Sequence, residues 1–400
     1  MKGLKGKYIM VLIAMCGVIG AVLGLVTNVA GLFFEPVAAE FGIGKGEVSM
    51  TLTICNLCFA LGGMLTPKLI KEKTFRMVII VCMAILAGST ALLSTAGNIT
   101  MMYIFSALRG LSAGTIGMVF VTTVINHWFN KNTALMTSIA MGFSGIVSAV
   151  LSPVLSSIIQ SSGWRVGYLV SAVITVIFVL PAILLPIGLT PAAAGTEPFG
   201  EKTVSNVSSS GNSENKVSLS LFILAAISAV IAAYMTSMPQ HFPGLVSSLG
   251  MNAAVGASML SVCMLANTIG KIILGTMIDR FGSKMALTIY GVLIAIGIVC
   301  TWLIHAPLAM TVGAVLFGLS YGSAAVGTAM MTRDVFSNEN YGNVYPKISL
   351  CTTVANAVGS SLIGFMYDMS NSYTPTLIMM LVMIIAYIFI LQIMYRSKIS

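Results

Sequence analysis

The sequence predicts an all-α membrane protein, with twelve transmembrane helices in two pseudo-symmetric six-helix bundles. Three observations predict it. Of 400 residues, 57% are hydrophobic and only 8% charged, where a soluble domain carries roughly a quarter charged. The apolar residues fall in twelve long runs. A polar segment, 190–217, divides six of these runs from the other six. Such a composition over this length excludes a soluble enzyme, a disordered chain and a disulfide-stapled secreted domain. The formal charge of +9 does not indicate a nucleic-acid partner, because Lys and Arg lie in short runs between apolar stretches rather than on one soluble face.

A hydrocarbon core about 30 Å thick takes about 20 residues of helix. The runs cover approximately 8–34, 48–70, 76–96, 99–125, 134–160, 165–189, 218–240, 252–277, 284–304, 307–332, 344–367 and 374–395. Backbone groups in lipid must be satisfied within their own segment, so runs of this length read as helices. The first is too long for a signal-peptide apolar region and reads as a retained span. The 39 glycines, with abundant Ala and Ser, suit close helix packing. Pro153 and Pro181 fall inside spans, where neighbouring helices make proline tolerable. All seven cysteines fall in spans. Cys55 and Cys58 form a C-x-x-C on one helix with no second pair beside it, which reads as packing rather than metal or redox chemistry.

Orientation follows from the cations. With the N-terminus in the cytoplasm, 16 of the 20 Lys and Arg lie on that side, Lys68, Arg76, Arg280 and Arg333 among them. Lys45 and Arg165 fall on the other side, and Arg109 and Lys271 inside spans. Positive charge marks the cytoplasmic side, so both termini are expected inside a cell (plasma) membrane. Segment 190–217 is rich in Ser, Gly, Asn and Pro and reads as a flexible cytoplasmic tether between a bundle over 1–189 and a bundle over 218–400. Two such halves suggest rocking about a midplane site.

The loop after the second span of the second half reads Gly275-x-x-x-Asp279-Arg280-x-Gly282-x-Lys284. It resembles the signature of the major facilitator superfamily. Gly282 permits the tight turn, and Asp279 at a helix end can pair with loop cations. The first-half copy, Gly63 to Lys71, has Pro67 where the acid would stand. Further pieces are similar to the monocarboxylate porter and oxalate–formate antiporter families. They are Gly31-x-x-x-Glu35-Pro36, Glu40-Phe41-Gly42, Asn126-His127-Trp128-Phe129, Ala140 to Gly145, Gly163-Trp164-Arg165 and Tyr341-Gly342-x-x-Tyr345. The resemblance implies secondary transport of a small organic anion, a monocarboxylate, by proton symport or as an antiporter exchanging one anion for another. It implies no enzyme activity, no cofactor and a monomer in the lipid bilayer.

A charge at bilayer depth costs several kcal/mol and marks a site by default. Lys271 stands where the resembling families carry an Arg thought to bind the substrate carboxylate, and Asn267 where some carry an Asp. A lysine is still a cation for an anion, though a point charge rather than a fork. Snorkelling by its four-carbon stem is the competing reading. Arg109 lies midway along the fourth span, either binding an anion or serving backbone carbonyls. Asn28, Asn56, Tyr103, Tyr234, Tyr321 and Asn356 are the polar groups that can line a cavity. Asp279, Arg280, Gly275 and Gly282 are expected to gate the cytoplasmic side. His127, His241 and His305 all fall near span ends and read as solvated. No acid falls near the middle of a span, which argues against a carboxylate proton carrier. The alternatives are an exporter of larger amphipathic compounds and a membrane sensor that transports nothing.

Overall fold

The computed structural model describes residues 6–200 and 218–397. Among them ten helical runs are long and apolar enough to cross a membrane. Two of these, Leu135–Leu184 and Ala253–Leu303, are 50 and 51 residues long. At about 1.5 Å per residue each would extend to more than twice the hydrocarbon thickness. Each holds one residue off helical backbone, Gly163 at φ 84° and Gly282 at φ 77°, values that glycine adopts without strain. Each run is therefore two spans joined at a glycine, and the described residues carry twelve spans.

The chain groups into two compact units, residues 1–43 with 50–206 and residues 44–49 with 207–400. In the first, α1 (Gly6–Ile19) runs through a π turn over Gly20–Leu25 and a 3-10 turn over Ala30–Phe33 into α2 (Phe34–Phe41). Then come α3 (Lys45–Leu69), whose residues from Met50 onward group with this unit, α4 (Phe75–Leu93), α5 (Ile99–Thr115), α6 (Met118–Trp128) and the double span α7 (Thr133–Leu184). The Asn98 side chain caps α5 by accepting from the Met101 N–H at 3.0 Å. Without a hydrophobic drive between helices in lipid, close approach of backbones has to hold them. A Cβ on Gly110 would overlap the Cys55 carbonyl, one on Gly114 the Phe59 carbonyl and one on Gly62 the Leu111 carbonyl. Three glycines thus seat α3 against α5.

The polar segment departs from expectation. Ile187 and Leu189 are buried, and the Phe199 ring packs 5.3 Å from that of Tyr8 and 6.1 Å from that of Phe129. The Phe199 N–H donates to the Trp128 carbonyl at 2.8 Å, and the N–H groups of Asn130 and Lys131 donate back to the Phe199 carbonyl at 3.0 Å. Glu72 accepts from the backbone of Leu189 and Thr190 and from the Thr190 hydroxyl. The expectation of a free tether over 190–217 is therefore corrected for 190–200, which is part of the first unit. Its Pro- and Gly-rich composition reads as coil, but its backbone satisfies groups left open where neighbouring helices end. Residues 201–217 lie outside the described residues.

In the second unit, α8 (Leu219–Met235) is followed by a 3-10 turn over Met238–His241 and by α9 (Phe242–Ser248). Then come the double span α10 (Ala253–Leu303), α11 (Pro307–Gly318), α12 (Ser320–Gly322), a π turn over Ser323–Gly327, α13 (Thr328–Ser370) and α14 (Thr374–Ser397). Glycines again set the packing. A Cβ on Gly313 would come within 2.9 Å of the Gly297 carbonyl, and one on Gly318 within 2.5 Å of the Cys263 carbonyl.

Candidate functional site

Four spans are interrupted, at equivalent places in the two halves. The first breaks at Gly20–Phe33, the fourth at Ile116 and Gly117, the seventh at Thr236–His241 and the tenth at Leu319–Gly327. An interrupted helix frees backbone groups that lipid cannot satisfy, so such breaks persist where they line a cavity or are covered by protein. Paired breaks in the two halves are the best pointer to a binding site.

In the first unit Arg109 sits on α5 ahead of the fourth-span break and is 5% exposed. Its guanidinium lies against the Cys55 thiol and 5.9 Å from the centroid of Tyr168, which stacks on Phe33 at 4.0 Å. The Arg109 Nε has no hydrogen-bond partner, and among the described residues no ion pair and no backbone carbonyl serves its side chain. The structural half of the expectation, a guanidinium serving backbone carbonyls, is therefore not realised. Asn28 donates from Nδ2 to the Ser148 hydroxyl at 3.3 Å, and the Tyr103 hydroxyl lies 4.0 Å from the Met50 sulfur.

In the second unit Lys271 is half-buried on the first arm of α10, with no hydrogen bond or ion pair among the described residues. Asn267, one turn before it on the same face, is buried with its Oδ1 unpartnered. The Tyr290 hydroxyl, from the second arm of α10, donates to the Gly270 carbonyl at 2.6 Å and so fixes the backbone beside Lys271. Tyr234 is buried with its hydroxyl unpartnered, while Tyr321 meets Gln240. Asn356 donates to the Thr236 hydroxyl at 2.6 Å in the seventh-span break. Ser106, Ser237, Ser320 and Ser323 also carry buried, unpartnered hydroxyls. Each such group costs about 1–3 kcal/mol unless a ligand or water meets it. Tyr234, Ser237, Ser320 and Ser323 lie in or next to the breaks of the seventh and tenth spans, whereas Ser106 lies on the fourth span well ahead of its break. Ser is common glue in any span, so only position in or next to a break would mark Ser237, Ser320 and Ser323 in the sequence. Arg109 and Lys271 belong to different units.

The motif loop differs in detail from expectation. Asp279 and Arg280 are exposed and make no ion pair among the described residues. The acid that engages the loop is Asp334 of α13, which accepts from the Ser283 hydroxyl. His127 and His305 are exposed as expected, but His241 is 1% exposed, which corrects its reading as solvated. The seventh span turns at Thr236, so His241 falls inside the break rather than at the end of a helix. Among the described residues no group of three or more His, Cys, Asp or Glu is placed to hold a metal ion.

Two of the sequence pieces meet in the first unit. Glu40 accepts from the Trp164 indole at 2.5 Å and pairs with Arg165 at 2.6 Å. Arg165 also donates to the carbonyls of Ser94 and Ala96 at 2.8 and 3.0 Å. The Gly163-Trp164-Arg165 turn thus closes the ends of three spans rather than touching a ligand.

A family model for the Major Facilitator Superfamily matches residues 16–270 and again 220–398. No curated protein sequence matches the chain. Among solved structures, that of a mutant of the nucleoside transporter NupG superposes with a TM-score of 0.71 at 12% identity, covering 96% of this chain and 99% of that one. At that identity the likeness speaks for the fold. Since the family model spans both six-helix halves, the chain belongs to the Major Facilitator Superfamily.

Proposed function

We propose that the chain is a secondary active transporter of a small organic anion, a monocarboxylate, working by alternating access. The observation that carries the reading is Arg109: a guanidinium buried on α5 ahead of a helix break, with no carboxylate to neutralise it among the described residues and its Nε unpartnered. A buried cation without a counter-charge is expensive, and an anionic ligand is what relieves it. Lys271 supports the same reading, as a second cation without an ion pair, one turn from the unpartnered Asn267 carbonyl. In this reading Lys271 meets the carboxylate, and Arg109 supports it or sets the potential. Tyr234, Tyr321, Asn28 and Tyr103 line the path, and the loop of Gly275, Asp279, Arg280 and Gly282 gates it. Protons or a counter-anion are the partners, and the termini lie in the cytoplasm beneath the plasma membrane.

The test is exchange in proteoliposomes loaded with unlabelled anion and challenged with labelled formate, lactate, pyruvate or oxalate, with and without a proton gradient. Exchange of a monocarboxylate is the expected result, and the effect of the gradient separates symport from exchange. Uptake of a labelled nucleoside in place of any anion would overturn the substrate class and leave the fold untouched.

A further inference from the structure

The turn that joins the second and third spans gathers cations that the anion path does not use. Lys68, Lys71, Lys73 and Arg76 fall within residues 68–76, and all four are exposed. Among the described residues none of them makes an ion pair. Arg76 makes one hydrogen bond, from Nη2 to the Leu185 carbonyl at 3.3 Å. The corresponding loop of the second half keeps an acid, Asp279, beside Arg280 and Lys284, whereas Pro67 stands in that place here. One acid remains in the turn, Glu72, and both its oxygens are engaged elsewhere. They accept from the amides of Leu189 and Thr190 at 3.2 and 3.1 Å and from the Thr190 hydroxyl at 2.9 Å.

The turn itself is fixed. The Lys71 N–H donates to the Thr74 hydroxyl at 3.1 Å, and that hydroxyl donates to the Leu69 carbonyl at 2.8 Å. Ile70 and Phe75, inside the turn and at its end, are buried. The cations therefore stand on a preformed scaffold, so a ligand orders side chains but little backbone.

Behind the turn, α4 is apolar on two sides. Phe75, Ile79 and Leu86 are buried, and the helix packs on α5 and α7. Met77, Ile80, Val81, Ile85 and Leu92 are 42–66% exposed. Their spacing of three, four and seven places them on one stripe along the helix. Arg76 lies one turn before Ile80 on that stripe, and Lys73 sits in the turn ahead of it. In a bilayer the stripe meets acyl chains, and the cations at its end stand where headgroup phosphates lie. Charges that only orient a chain need neither a fixed turn nor a lipid-facing stripe behind them.

We propose that the turn over residues 68–76 is a binding site for an anionic phospholipid. Its acyl chains lie along the exposed stripe of α4, and its phosphate lies among Lys68, Lys71, Lys73 and Arg76. A zwitterionic lipid fits the stripe equally well but brings a cation of its own into the cluster, so headgroup charge sets the preference. The site does not depend on the identity of the transported substrate.

Native mass spectrometry of the full-length protein, equilibrated in detergent with equal amounts of phosphatidylglycerol and phosphatidylcholine of the same acyl chains, reads which lipid is retained. A preference for phosphatidylglycerol of about tenfold or more is expected, since each cation near an anionic headgroup contributes about fivefold in binding. The triple variant Lys68→Gln, Lys71→Gln, Lys73→Gln is expected to fall to near parity. The triple variant Lys68→Arg, Lys71→Arg, Lys73→Arg is expected to keep the preference. Lys284→Gln, Lys347→Gln, Arg396→Gln removes as much charge from the second unit and is expected to behave as wild type. Glycerol phosphate in large excess, a headgroup without chains, is expected not to displace the lipid. Equal retention of the two lipids by wild type, a preference that survives the first triple variant, its loss in either of the other two, or displacement by glycerol phosphate would each overturn the proposal. Should the first triple variant not fold, Lys71→Gln with Lys73→Gln, whose side chains make no hydrogen bond among the described residues, is expected to lower the preference by about fivefold or more. An unchanged preference in that pair would overturn the proposal equally.

Discussion

The Tyr8 hydroxyl donates to the Glu197 carbonyl at 2.7 Å, joining the first helix to a segment 189 positions later in the chain. Beside it the Lys7 ammonium reaches the Ala194 carbonyl at 2.7 Å, and the rings of Trp128, Phe129 and Phe199 surround Tyr8. The segment is a strap over one end of the first unit. Tyr8→Phe removes one neutral hydrogen bond and is expected to cost about 1 kcal/mol. Phe199→Ala empties a half-buried aromatic site and should cost about 2 kcal/mol, below the range for a fully buried ring. Thermal unfolding in detergent reads both. Deleting 191–199 should abolish the folded first unit, whereas a deletion within 203–214 should leave transport intact.

Glycine packing makes a sharper forecast. Gly114→Ala sets a methyl against the Phe59 backbone carbonyl, which cannot move without displacing α3. Because α5 also carries Arg109, the shift should reach the candidate site. We expect Gly114→Ala to lower the unfolding temperature markedly and to abolish transport. Gly88→Ala is the control, since its Cβ would meet nothing within 4 Å. It should be neutral or raise stability by up to about 1 kcal/mol, as alanine favours helix more than glycine does. Equal effects of the two would show that the packing contact carries no weight.

What the sequence made legible and what it hid follow from the range of each signal. Span count and the division into halves rest on composition summed over about 20 residues, and such sums survive local irregularity. Arg109 and Lys271 stood out because a charge in an apolar run is conspicuous at any register. The breaks left weaker traces, since Gly117 and the residues around Gly20 look like any small residues in lipid. The pairings of Glu40 with Trp164 and Arg165, of Asp334 with Ser283, and of Asp368 with the amides of Lys45 and Gly46 join positions from 51 to 323 apart. No local periodicity encodes those contacts. The depth of His241 is not legible in the sequence, because distance from the end of an apolar run is a poor proxy for depth when the helix turns on itself.

The cations of the candidate site separate by geometry. Lys271→Ala should abolish anion transport, and Lys271→Arg should retain part of it, because charge survives while stem and donor shape change. Arg109 is more confined, between the Cys55 thiol and Tyr168. Arg109→Lys therefore loses the planar fork and should lower transport about tenfold or more, with Km rising if the guanidinium binds the carboxylate directly. Full activity in Lys271→Ala would remove it from the binding path. Initial rates in proteoliposomes at several substrate concentrations decide both cases.

The motif loop offers two acids with opposite standing. Asp334 is engaged with Ser283, so Ser283→Ala should remove a charge-assisted hydrogen bond and cost about 1.5–3 kcal/mol. Asp279 is exposed and makes no ion pair among the described residues, so Asp279→Asn should change stability by less than about 0.5 kcal/mol. A transporter working by alternating access must populate at least two conformations, and a side chain idle in one can be engaged in the other. If the loop gates transport through Asp279, the variant keeps its unfolding temperature while its transport rate falls about tenfold or more, since a lost ion pair in the second conformation shifts the equilibrium by that much. Ser283→Ala should show the reverse ordering, a lowered unfolding temperature with transport reduced only in proportion to folded protein. Transport by Asp279→Asn at the wild-type rate would move gating to the Ser283 and Asp334 contact. The two variants, measured side by side for unfolding and uptake, therefore assign the gate to one acid or the other.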